Sequence, residues 1–133
     1  MSAILAFVLL IGENSVYATP VQIYDSDFDE MLPRFKFTCQ FLGVDVWGTE
    51  YYTYQGARRC ELHFGDSTSN IIRFRLNNDN SVSRILITTP YKYFDNNDEK
   101  VLYVLANILK EIGLSQSEIE TLSNDLVNKM EQL

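Results

Sequence analysis

Histidine occurs once in the 133-residue chain, tryptophan once, cysteine twice and proline three times. A single histidine excludes zinc sites built on histidine pairs, and no cysteine set has zinc-ligand spacing. Two cysteines allow one disulfide and no disulfide framework. Six glycines and three prolines are too few for a collagenous or low-complexity chain. Lysine and arginine total 11 against 18 aspartates and glutamates, a net charge of −7 with a pI of about 4.6. That balance argues against a nucleic-acid partner, whose affinity draws on phosphate neutralisation, and against docking on an anionic membrane. The longest uninterrupted apolar run, residues 3–11, is too short to span a bilayer as a helix. No phosphate-binding glycine loop is present. No cofactor and no metal is implied.

What is present is ordinary globular composition, 46% hydrophobic and 22% charged, with aromatics generous at 13%. The length sets one domain.

Residues 3–11 read AILAFVLLI, the length of the apolar region of a signal peptide. Gly12, Glu13 and Asn14 break the run, and Val16 and Ala18 supply small residues at the −3 and −1 positions of a cleavage site. The expectation is a signal peptide over residues 1–18 and a single α+β domain over residues 19–133, exported to the cell envelope or medium. Met1 and Ser2 give no positive charge ahead of the run. The alternative is that the run is the first buried strand or helix of the domain.

Residues 26–42 place Phe28, Met31, Leu32, Phe35, Cys39 and Leu42 on one helical stripe. Ser26 with Asp29 resembles a capping pair, and Gly43 is a natural stop. Pro33 either sits in the first turn of a helix beginning near Leu32 or kinks a longer one. Four strands are predicted next, over residues 44–54, 58–64, 71–76 and 82–88, joined by turns at 55–56, 65–70 and 77–81. Such short connections imply an antiparallel meander. Pro90 ends the sheet. Asn96 or Asn97 can cap a helix with Val101, Leu102, Val104, Leu105, Ile108, Leu109 and Ile112 inward. Ser115 and Glu118 form a capping box for a last helix carrying Ile119, Leu122, Leu126 and Met130. The fold class is α+β: an N-terminal helix, a four-stranded antiparallel β-meander and two C-terminal helices.

A leader, a helix ending in Leu42-Gly43, a meander with an Asn/Asp turn before its final strand (residues 77–87) and a helical pair together resemble small exported bacterial proteins of no assigned function. The resemblance implies a fold and an address, and no activity. The helix-plus-meander core is also similar to the cystatin-like roll, but the Gln-x-Val-x-Gly inhibitory loop has no match.

Catalytic constellations are incomplete. Alternation puts Cys60, Leu62 and Phe64 on one strand face and His63 on the other, against a Cys60–His63 pair. Gly65-Asp66-Ser67 resembles the nucleophile block of GDSL-type hydrolases, yet no histidine follows residue 63. Residues 25–29 resemble the start of a calcium loop, but its sixth position is Glu30 and its twelfth Lys36, so helix capping explains the acids.

Five of the six arginines fall in the predicted strands. If the apolar sets face the helices, the other sheet face gathers Arg59, His63, Arg73, Arg75 and Arg84, with Trp47 and Tyr51 joining from the first strand. Guanidinium groups beside aromatics suit carboxylate, phosphate or sugar-acid ligands. The plainer reading is a solvated face whose arginines pair across strands with Glu61 and Glu50. Cys39 and Cys60 both point into the helix–sheet layer, either as a disulfide closing a loop of 22 residues (39 to 60) or as buried free thiols.

The leading functional expectation is an exported, non-enzymatic binding module for a protein or an anionic cell-envelope ligand. The alternatives are a small hydrolase with an unrecognised site, or an intracellular acidic chaperone or immunity-type partner protein.

Overall fold

A computed structural model of the chain describes residues 2–11, 14–17, 21–24, 27–89 and 99–132. The elements run β1 (Ser2–Ile11), β2 (Asn14–Tyr17), β3 (Val21–Tyr24), α1 (Phe28–Phe41), β4 (Val46–Tyr54), β5 (Ala57–Phe64), β6 (Ile71–Leu76), β7 (Val82–Thr89), α2 (Glu99–Glu111) and α3 (Gln116–Glu131). The α+β class, with α1, the antiparallel meander β4–β7 and two C-terminal helices, is as the sequence pattern implies. Ala18, Thr19, Asp25, Ser26, Pro90, Asn96 and Asn97, on which parts of that pattern rest, lie outside the described residues.

α1 begins where Asp27, in extended geometry, accepts hydrogen bonds from the backbone N–H groups of Asp29 (3.0 Å) and Glu30 (3.4 Å). The cap is therefore Asp27, with Asp29 and Glu30 favourably placed in the first turn. The helix runs through Pro33, which sits in its interior. Its end is a Schellman closure: Val44 N–H donates to Cys39 C=O (2.8 Å) and Gly43 N–H to Gln40 C=O (3.0 Å). Gly43 takes φ +82°, a conformation that costs glycine no Cβ clash. α3 opens on a reciprocal capping box, Ser115 N–H to Glu118 Oε1 (3.0 Å) and Glu118 N–H to Ser115 Oγ (3.2 Å).

The sheet order is β2-β1-β7-β6-β5-β4, with β3 paired to the first half of β1. The apolar run read as a leader is strand β1 here: Ala6–Ile11 lies parallel to Arg84–Thr89 of β7. This is the arrangement of the alternative reading, in which the run belongs to the sheet. An uncharged run suits both roles, because strands with parallel neighbours are also continuously apolar.

One face of the meander carries Cys60, Leu62, Phe64, Ile72, Phe74, Ile85 and Ile87, all buried. They pack in one core cluster with Phe28, Met31 and Phe35 of α1, Val104, Ile108 and Ile112 of α2, and Ile119, Leu122 and Leu126 of α3. The described helices thus cover one face of the meander. No described helix is long and apolar enough to cross a membrane.

Candidate functional site

The residues outside the core face line up in rows, because directly paired residues of neighbouring strands share a face. Tyr52 pairs with Arg59, Arg59 with Arg75, and Arg75 with Arg84. Three arginines on three adjacent strands therefore form one line across the sheet, with a tyrosine at its β4 end and Ala6 of β1 beyond Arg84. The next row is Glu50, Glu61, Arg73 and Leu86, and the one after is Trp47, His63, Ile71 and Thr88.

Charges in these rows are not evenly matched. Arg73 Nε donates to Glu61 Oε2 at 2.8 Å, a cross-strand ion pair. Arg59 turns towards the β4–β5 turn, donating to Tyr54 C=O at 3.4 Å with its guanidinium 5.4 Å from the Tyr54 ring centroid. Arg75 and Arg84 are exposed and make no ion pair among the described residues. Glu50 likewise makes none, so among the described residues the expected pairing with carboxylates is realised for Arg73 and for no other arginine of this face. Directly opposed like charges destabilise a sheet. A shallow depression of about 40 Å³ lies among Arg59, Arg73, Arg75, Arg84, Phe74 and Leu86.

Trp47 and His63 form the neighbouring aromatic element. Their rings stack at 4.8 Å between centroids and 30° between planes. Trp47 Nε1 donates to Gly65 C=O (2.9 Å), which fixes the indole. His63 Nδ1 is buried without a hydrogen-bond partner among the described residues. Gly48, at φ +72°, would place a Cβ 3.0 Å from His63 Cδ2.

Tyr51 does not join the arginine face. It pairs with Cys60, packs its ring edge-on to Phe28 at 6.2 Å, and lies beneath Arg58 at 5.1 Å. Its hydroxyl donates to Asp29 Oδ1 at 3.4 Å, which places it on the helix side. The cause is a bulge between Trp47 and Glu50, where two residues of β4 oppose one of β5. Counting by twos from Trp47 crosses that bulge and lands on the wrong face. The tyrosine beside Arg59 is Tyr52.

The two thiols are free and buried in the one core. Cys39 Sγ accepts from Asn107 Nδ2 at 3.3 Å, and that amide also donates to Phe35 C=O at 3.1 Å, tying α2 to α1. Burial pushes both thiols up, Cys60 to about 11. Reactive cysteines sit where the thiolate is favoured, and these sites do the opposite. Cys60 is separated from His63 by the thickness of the sheet. Ser67 caps its own loop, accepting from Ser69 N–H (3.1 Å), within a connection held by buried Asn70. Among the described residues, no three histidine, cysteine, aspartate or glutamate side chains gather as a metal site.

Comparison with models of known protein families and with curated proteins finds no match to the chain.

Proposed function

We propose that the protein is an exported, non-enzymatic binding module that takes an anionic ligand on the sheet face opposite the helices. The observation that carries this reading is the row Arg59–Arg75–Arg84, two of whose members, Arg75 and Arg84, make no ion pair among the described residues, in a chain of net charge −7. An acidic protein that concentrates uncompensated guanidiniums on one face tolerates repulsion there, and an anion that enters removes it. Guanidinium presents a planar fork of donors that fits carboxylate or phosphate oxygens in pairs. The core-facing thiols and the separated Cys60 and His63 offer no competing catalytic arrangement.

The test is equilibrium binding of polyglutamate, polyphosphate and polygalacturonate at low and high salt. The parent protein binds at least one of them, and salt weakens the complex because Arg75 and Arg84 are exposed. Arg75→Glu with Arg84→Glu removes the binding without changing the circular dichroism spectrum. Unchanged binding by that variant sinks the reading.

Export rests on the apolar run and the small residues Val16 and Ala18. Cleavage there would take β1 and β2 out of the sheet and make β7 an edge, so the leader and the strand are states of different chains. Mass determination of the protein from its native host decides between them: a chain beginning near Thr19 supports export, and recovery of intact residues 1–18 makes β1 a permanent strand. The arginine row belongs to β5, β6 and β7 and stands in either case.

A further inference from the structure

We infer that the free edge of β4 pairs antiparallel with β4 of a second copy of this chain, with Tyr52 meeting its own counterpart on the twofold axis and Glu50 of each copy reaching Arg59 of the other. This stands apart from the anion-binding reading.

The first observation is an unpartnered edge. Among the described strands, β4 ends the sheet and pairs with β5 alone. Natural sheets blunt such edges with lysine, proline, bulges or very short strands. β4 runs nine residues, Val46–Tyr54, and holds neither lysine nor proline. Its bulge lies between Trp47 and Glu50, so residues 50–54 pair regularly. All of these but Tyr52 are exposed, Tyr51 at 44% and Tyr54 at 57%.

The second is which groups the edge presents. Gln55 and Gly56, at φ +50° and +74°, make a two-residue turn between Tyr54 and Ala57. The residues flanking such a turn exchange backbone hydrogen bonds, and bonding alternates from there along the strand. Tyr54, Tyr52 and Glu50 therefore bond towards β5. The N–H and C=O groups of Thr53 and Tyr51 point outward, where another strand can meet them.

The third is charge, and it selects a second copy. Glu50 and Arg59 make no ion pair among the described residues. The Arg59 guanidinium is turned to the β4 edge, 5.4 Å from the Tyr54 ring centroid, with Nε donating to Tyr54 C=O. In an antiparallel pair, opposed residues share a face, and outward groups must meet outward groups. Setting Tyr51 opposite Thr53 satisfies both conditions. It also sets Glu50 opposite the partner's Tyr54, beside the guanidinium that lies on that ring. Twofold symmetry makes the same contact twice. The neighbouring registers do worse. Tyr51 opposite itself makes the two Glu50 residues diagonal neighbours, and Thr53 opposite itself shortens the overlap and carries Glu50 past Tyr54. β4 lies at the end of the sheet away from β1 and β2, so this edge is the same with or without residues 1–18.

The experiment is sedimentation velocity of the full chain from about 5 to about 500 µM, with circular dichroism to confirm that each variant folds. One short strand makes a small interface, so half-dimerisation is expected on the order of 10–100 µM. Thr53→Pro removes an outward N–H without touching the β5 ladder and should weaken the dimer by about tenfold or more. Glu50→Arg and Arg59→Glu should each weaken it by about tenfold, and the double variant should return to within about threefold of the parent. That rescue separates a register-specific pair from a change of net charge, and it decides the matter alone if Thr53→Pro does not fold. A monomer at every concentration, a dimer unmoved by folded Thr53→Pro, or a double variant no tighter than either single one would overturn the pairing.

Discussion

Arg75 and Arg84 face each other across β6 and β7, and neither meets a carboxylate among the described residues. Arg59 stands opposite Arg75 on the other side, so Arg75 is flanked by two like charges. Opposed like charges cost a sheet stability, and opposite ones restore it, by about 0.2–1 kcal/mol per pair. Arg75→Glu should therefore raise the denaturation midpoint while weakening anion binding. Denaturant unfolding checks this; a clear loss of stability would show that the guanidiniums already have a structural partner.

The bulge that carries Trp47 is the second point of leverage. Gly48→Ala forces a Cβ to 3.0 Å from His63 Cδ2 and strains a φ of +72°. It should cost about 1 kcal/mol or more. Trp47 is the only tryptophan, so its emission reports the change in stacking on His63 directly. An unshifted spectrum with unchanged stability would contradict the described packing.

The thiols make a pH prediction. Burial raises both, Cys60 from 9.0 to about 11, so the folded state holds its protons more tightly than the unfolded chain does. That stabilisation is complete below pH 9 and is lost as pH rises through 11, a change on the order of 3 kcal/mol for Cys60. Stability measured from pH 8 to 11 should fall. Alkylation of the folded protein at pH 8 should label neither cysteine, and alkylation after denaturation without reductant should label both. Labelling of neither after denaturation would establish the disulfide that the structure does not contain.

Asn107 holds α2 to α1 through one amide, donating to Phe35 C=O and Cys39 Sγ. Asn107→Ala leaves the buried carbonyl without this donor and opens space beside it. A loss of about 1–3 kcal/mol is expected from chemical denaturation. No loss would mean that the two helices are held by apolar packing alone.

Much of this fold is legible in the residues. The strands β5, β6 and β7 follow from strict alternation, and the capping box of α3 from Ser115 and Glu118 alone. The arginine face follows from the same alternation, since it is the set left over once Cys60, Leu62, Phe74 and Ile85 are buried. Four things were not legible. The β4 bulge reverses parity between Trp47 and Tyr51, and only Gly48 hints at it, so alternation puts Tyr51 on the arginine face that Tyr52 occupies. The start of α1 depends on which of several acids caps it, and Asp27 wins because its carboxylate also accepts from Asn80 Nδ2 (2.9 Å), a residue 53 positions away. The apolar run of residues 3–11 has one composition for two roles, and alternation cannot separate them. Pairing of Arg73 with Glu61, but of neither Arg75 nor Arg84 with Glu50, depends on register, which no single strand reveals.

Cation-exchange chromatography tests the central claim most directly. A protein of net charge −7 should pass through a carboxymethyl resin at pH 7 unless one face is locally positive. The account predicts that the parent is retained at low salt and elutes as salt rises. Arg75→Glu/Arg84→Glu should flow through, while the charge-matched Arg34→Glu/Lys110→Glu, altered on the helices, should still be retained. Flow-through of the parent, or equal loss of retention in both variants, would contradict an anion-binding face on the sheet.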